Sequence, residues 1–281
     1  TVGEAWYLQL DSHMRFVPRW DALMLEQLAR CQAESAKPVL CGYGRGYTLG
    51  APADWLPPGP ITGALNCAGF FDQHDILNIR YRSLRTDWHR PQRSFFWSAH
   101  FSFSSAQVLR EVPYDPQLLM LFYGEEILMT VRLFTHGWDL YAPAGAVVYH
   151  LWERDYRRVY MSDMKELYAD LARSARRRLH HLLGSGPAPF FQEPLERWPL
   201  PGGAVAQASD AFGLGRARSL GDYEAAAGLS FAARRLDPRA LRGGAPREEC
   251  FLAPESGDQA EVERRCRPEA GPRSDASAAA P

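Results

Sequence analysis

Three short stretches of the chain hold residue types that could do chemistry together. The first, Asp11-Ser12-His13, closes an apolar run and offers a carboxylate and an imidazole at i and i+2. Such a pair suits manganese-like divalent ions that also accept phosphate oxygens. Taken alone, a strand-end Asp capping a turn beside a surface His is the plainer reading. The second stretch, Phe122-Tyr123-Gly124-Glu125-Glu126, places two carboxylates at a helix start. The helix dipole favours them there by about 0.3–1 kcal/mol each. Alternatively, one carboxylate bonds sugar hydroxyls or an acceptor while Gly124 lets a ligand approach the backbone. The third, Val147 through Arg154, ends a strand-like run in His150, a candidate metal ligand far along the sequence from the first two.

Several elements must position these residues. Residues 4–10 read as a buried strand stopped by Asp11, and 20–31 as an amphipathic helix with apolar Leu23, Leu25, Leu28 and Ala29. Residues 38–43 form the next strand pattern, and the Gly- and Pro-rich 44–63 an irregular loop. The region 64–116 reads as short strands with a basic patch, Arg80 to Arg93, and the aromatic run Phe95-Phe96-Trp97. Residues 125–136 carry helical spacing stopped by Gly137. A short strand interrupted by Pro143 and Gly145 runs from 140 to 150, and a long basic helix from 161 to 183. That basic face reads as a solvated helix surface, with contact to an acidic partner as the alternative. A compact segment at 209–236 follows, and 237–281 is expected to be a disordered tail of Arg, Glu, Gly, Ala and Pro.

Composition bounds the function class. The 281 residues are 46% hydrophobic, enough for a core and against disorder throughout. With 32 basic and 33 acidic side chains, no global field selects nucleic acid. No run approaches the ~18 apolar residues of a membrane helix. Five cysteines, odd in number and without a CxxC pair, read as unlinked thiols in a reducing compartment. The chain opens at Thr1 rather than Met and runs at once into a strand, so a preceding segment is expected.

The order Asp-x-His, Gly-Glu-Glu helix start, strand ending in His matches GT-A glycosyltransferases. Tyr7-Leu8-Gln9-Leu10-Asp11-Ser12-His13-Met14-Arg15-Phe16, Phe96-Trp97-Ser98-Ala99-His100-Phe101-Ser102-Phe103, Glu111-Val112-Pro113-Tyr114-Asp115-Pro116 and Tyr149-His150-Leu151-Trp152 resemble the polypeptide N-acetylglucosaminyltransferase family. So does the C-terminal set Gly213-Leu214-Gly215, Arg218-Ser219-Leu220 and Asp222-Tyr223-Glu224. Characterised members modify hydroxyproline on the SCF ubiquitin-ligase adaptor in the cytosol; mucin-type polypeptide GalNAc transferases are more distantly similar.

The resemblance covers about residues 4–236. It implies an α/β fold of GT-A type, a Rossmann-like mixed sheet with flanking helices, and transfer of GlcNAc from a UDP-sugar to a protein hydroxyl with retention. It further implies a cytoplasmic enzyme with a divalent metal, Mn2+, held by Asp11, His13 and His150. Glu125 would contact donor or acceptor, supported by Glu126, and Trp97, His100, Phe101, Gly124 and Arg154 would line the donor site.

Two departures stand out. The family's domain begins well before its Asp-x-His strand, with strands that bind uridine. His100 replaces an expected glycine in the Ala-Gly-Phe-Ser-Phe stretch, where an imidazole would crowd the sugar, alter donor choice or lie beside the metal. The competing class is a truncated, non-catalytic homologue acting as a binding module. A metal phosphohydrolase, needing more clustered ligands, ranks last.

Overall fold

The computed structural model describes residues 3–52, 54–55, 63–84, 90–153, 163, 165–186 and 210–244, all within the compact unit Thr1–Phe251. The first half contains β1 (Trp6–Leu10), β2 (Met14–Phe16), α1 (Trp20–Gln32), β3 (Pro38–Cys41), β4 (Arg45–Tyr47), β5 (Ala64–Phe71) and β6 (Leu77–Ser83). Then follow β7 (Gln92–Ser94), β8 (Phe101–Ser105), α2 (Gln107–Glu111), α3 (Glu125–Thr135), β9 (Asp139–Ala142) and β10 (Val148–Leu151). The remainder is α4 (Lys165–Leu183), α5 (Leu220–Ala227) and the small pair β11 (Leu229–Ser230) and β12 (Arg235–Leu236).

Five strands form a mixed sheet in the order β1-β8-β3-β9-β7, with β3 and β9 parallel and the other pairs antiparallel. β3 is buried at all four positions, as a continuous apolar run should be in the middle of a sheet covered on both faces. β8 alternates in residue type, phenylalanine with serine, while its first four positions are buried. Phe101 and Phe103 pack with Met24, Leu28 and Cys31 of α1, and Ser102 accepts the Trp97 indole N–H at 2.8 Å. The other layer joins Trp97, Val39 and Leu140 to Met129 and Leu133 of α3.

The α3 helix is buried from Ile127 to Thr135. A helix apolar on nearly every side must be covered on nearly every side. Its far side, Ile127, Leu128, Val131 and Phe134, packs with Ala175, Leu179 and Leu183 of α4 and Tyr223 of α5. The C-terminal segment is pinned there. Arg218 donates to Phe134 O and Trp138 O, each at 2.7 Å, and to Asp139 at 2.7 Å. Arg132, buried in α3, donates to the carbonyls of Ala211 and Gly213 at 3.3 Å.

Several expectations need correcting. Segment 4–10 is not a buried strand: β1 lies at the sheet edge, half-exposed, with Trp6 43% exposed. Segment 140–150 is two strands, because Pro143 to Ala146 carries the chain from the main sheet to a second one ordered β2-β10-β4. The tail does not begin at 237. Residues 240–242 form a 3-10 turn, with Ala240 fully buried in the α3–α5 cluster and Gly243 too close to Asn66 O for any side chain. Cys31, Cys41 and Cys67 are free and buried, while Cys250 and Cys266 lie outside the described residues. Among the described residues no helix is long and apolar enough to cross a membrane.

One ion pair locks α4 onto this core. Arg178 Nε donates to Asp115, whose side chain is fully buried, and Gln117 N donates to the same carboxylate at 2.9 Å. Removing one partner leaves the other charge buried without its counterion. Asp115→Ala is therefore expected to lower unfolding free energy by about 3–5 kcal/mol in urea denaturation. Glu26→Ala, which breaks the exposed Arg30–Glu26 pair, should cost under about 1 kcal/mol.

Candidate active site

Register brings the first two residues of the site together. β1 and β8 pair antiparallel from Trp6↔Ser105 to Leu10↔Phe101. One step further along the same ladder, Asp11 N donates to His100 O at 3.1 Å, so the two residues face each other across the strand ends. Their side chains meet as well: His100 Nδ1 lies 3.0 Å from Asp11 Oδ2. The third residue arrives from the other sheet. β10 sits between β2 and β4, pairing His150 with Met14 on one side and Gly46 on the other. One ligand atom each from Asp11, His100 and His150 lies within 4.8 Å of the others. Both imidazoles are 2% exposed, whereas Asp11 is solvent-accessible, so the cluster opens at its carboxylate.

Aromatic rings wall this cluster. His100 stacks on Trp152 (centroids 4.9 Å apart, planes 9° apart) and meets His150 edge-on at 4.7 Å. Tyr43 lies 5.2 Å from the His100 ring and stacks at 5.2 Å on Tyr81. Two glycines allow the backbone to close against these rings. A Cβ on Gly44 would stand 3.0 Å from His100 Nε2, and one on Gly46 would stand 3.1 Å from Trp152 Cδ1.

The two carboxylates of α3 have different surroundings. Glu126 accepts from Tyr43 Oη (3.1 and 2.9 Å), Ser98 Oγ (2.8 Å) and Ala99 N (3.0 Å). It thus clamps the turn that presents His100 to the β3–β4 connection that carries Tyr43. Burial outweighs these donors and pushes its carboxyl up to about 7. Burial, and then the charge of Asp11, hold Glu125 above the ordinary carboxylate range. Glu126, by contrast, is held by the protein donors Tyr43, Ser98 and Ala99.

The other expected site residues fall into two groups. His13 is exposed, sits at a φ of 63° with Nδ1 2.8 Å from Ser12 Oγ, and is not part of the three-residue cluster. Trp97 and Phe101 are both buried and pack into the clusters on opposite faces of the main sheet, Phe101 from the interior strand β8 and Trp97 from the segment before it. Gly124 is required by backbone conformation and packing. Its φ is 111°, and a Cβ there would come within 2.5 Å of Leu179 Cδ1. Arg154 lies outside the described residues. Tyr43, Ser98 and Trp152 are the site residues that the sequence reading left without a role.

A mixed α/β architecture with flanking helices, and a carboxylate–imidazole cluster at strand ends, is compatible with a glycosyltransferase fold. A family model described as Glycosyltransferase (GlcNAc) matches residues 2–233, and the chain belongs to that family. No curated protein sequence matches it. Family membership supports sugar transfer, with a sugar donor and an acceptor as partners.

The Glu126 clamp has a pH signature. A carboxyl raised from 4.5 to about 7 holds a proton in the folded state that the unfolded chain releases earlier. Stability therefore falls as pH rises from about 4.5 towards 7 and levels off above, by on the order of 3 kcal/mol from this group. Urea denaturation of metal-free protein across that window should show the fall. Glu126→Gln should flatten it, and an unchanged slope in the variant would remove Glu126 as its source.

Proposed function

We propose that the protein is a metal-dependent glycosyltransferase of GT-A type. It moves GlcNAc from UDP-GlcNAc to a hydroxyl of a protein acceptor, hydroxyproline being the acceptor that the family resemblance favours. The observation that supports this reading best is the convergence of Asp11 and His150, from separate sheets, within one cluster of ligand atoms. A carboxylate with imidazoles fits a first-row divalent ion, Mn2+ among them, and fits less well the all-oxygen environment that Mg2+ prefers. Such an ion would supply Lewis-acid neutralisation of the charge that builds on the departing UDP diphosphate.

The chain's own residues would do the rest. Glu125, at the start of α3 and raised above the ordinary carboxylate range by burial, is suited to accept a hydrogen bond from a donor-sugar or acceptor hydroxyl and hold it in line. Retention, which the family resemblance implies, has the acceptor oxygen attack from the face that UDP leaves. Trp152, Tyr43 and Tyr81 offer an aromatic flank that limits water at the reacting centre. Glu126 acts by positioning, through the 98–100 turn. Cytoplasmic placement, matching the unlinked thiols, belongs to the same reading.

The Asp11–His100 hydrogen bond favours a second reading, a binding module without turnover, because it engages the carboxylate that an ion needs. Calorimetric titration of UDP into the full chain, with and without Mn2+, separates the two. Metal-dependent binding weakened at least about 10-fold in Asp11→Ala, together with release of UDP from UDP-GlcNAc, supports the transferase. Metal-independent UDP binding without turnover supports the module, and no UDP binding under either condition sinks the donor site. Glu125→Gln should lower the rate of UDP release by about 10²-fold or more while leaving UDP affinity within about threefold.

A further inference from the structure

We propose that His100 is the third protein ligand of the metal, taking the place that the Asp-x-His motif assigns to His13; this rests on the donor-site reading above. The geometry at Asp11 is the first support. Two ligands bound at about 2.1 Å and at right angles on one ion stand about 3.0 Å apart. His100 Nδ1 and Asp11 Oδ2 are 3.0 Å apart. An ion inserted between them needs the hydrogen-bonding proton to leave but little movement of either side chain.

Preorganisation is the second support. The His100 ring is 2% exposed, stacked on Trp152 and edge-on to His150, so its orientation is fixed before any ion arrives. Its backbone is fixed too, since Glu126 binds Ser98 Oγ and Ala99 N, and Ser98 Oγ accepts from His100 N at 3.1 Å. The other nitrogen, Nε2, is buried without a hydrogen-bond partner and faces the Gly44 backbone. With Nε2 walled off there, Nδ1 is the ring atom left to face Asp11 and an ion. His13 lacks this support: it is exposed and is not part of the three-residue cluster.

A two-imidazole, one-carboxylate set changes which ion is favoured. Imidazole prefers Co2+ and Zn2+ to Mn2+, and Mn2+ to Mg2+, in the usual order for nitrogen donors. The chain should therefore bind Co2+ and Zn2+ more tightly than Mn2+, and Mg2+ weakly.

The test titrates metal-stripped full chain with Co2+, following its visible ligand-field spectrum, and with Mn2+ and Zn2+ by calorimetry. It compares wild type with His13→Ala, His100→Gly, His100→Asn and His150→Ala. Losing a supporting group around a metal site costs about 10–100-fold in affinity, and losing a ligand costs at least as much. His100→Gly and His100→Asn should each weaken Co2+ binding by about 100-fold or more and alter the spectrum, while His13→Ala stays within about threefold. The asparagine variant keeps a polar group opposite Asp11, and melting of the metal-free variants shows whether each one folds. Equal Co2+ affinity and spectrum in a folded His100 variant would overturn the assignment, as would loss in His13→Ala alone. In those cases metal-dependent UDP binding by wild type would leave the donor-site reading standing. Wild type that binds Co2+ through His100 but never binds UDP would keep the assignment and end that reading. No metal uptake by wild type at all would overturn the assignment and leave Asp11 and His100 as a structural pair.

Discussion

The antiparallel ladder between β1 and β8 is the constraint on which the site depends. Because its register runs from Trp6↔Ser105 to Leu10↔Phe101, the next residues on each strand are Asp11 and His100, and no other pair can meet there. A slip of one residue would turn Phe101 and Phe103 away from α1 and put serines in their place. The burial of two phenylalanines thus fixes which side chains face each other at the strand ends. Core packing and site geometry share one cause.

The second layer of control is polar. Trp97 N donates to Thr130 Oγ1 and Thr130 Oγ1 donates to Glu126 O, so the turn after Trp97 is tied to α3 at two levels. Glu126 supplies the upper tie through Ser98 and Ala99. Burying that carboxyl runs against its charge, which the raised titration range records. A hydrophobic residue would remove the penalty but also the tie, and the 98–100 turn would then hang on packing alone. Gly124 belongs to the same arrangement. Its left-handed backbone starts α3 where Leu179 of α4 leaves no room for a side chain, and this brings Glu125 and Glu126 to the site as a pair.

What could be read in the sequence was whatever depends on local pattern. The helix at 125–136, the strand at 38–43 and the stop at Asp11 follow from periodicity and turn chemistry. The motif words pointed to the GlcNAc family, and that family is the one that matches. What failed was pairing. Nothing in the order of residues says that β8 lies inside the sheet, so whether Phe101 is buried against α1 could not be read from the motif. Nothing says that Pro143 to Ala146 changes sheets, so β9 and β10 looked like one strand. Ala240 was hidden in a stretch whose composition resembles a tail, because burial of one small residue leaves almost no compositional trace.

His13 and His100 illustrate the same limit at the level of chemistry. Spacing at i and i+2 suggests a shared direction only while the chain stays pleated, and at His13 it does not: a φ of 63° turns the backbone at the residue that the motif counts on. His100 stands far away in sequence and has no motif partner, yet the β1–β8 ladder sets it against Asp11. An imidazole buried at position 100 must be accommodated by its surroundings, and here they are shaped to it. Glycine at 44 leaves space at Nε2, Trp152 covers one ring face, and Glu126 fixes the turn below. A side chain fitted on so many sides is part of how this site is built rather than an obstruction within it. Whatever binds at Asp11 must reckon with His100 as a fixed neighbour.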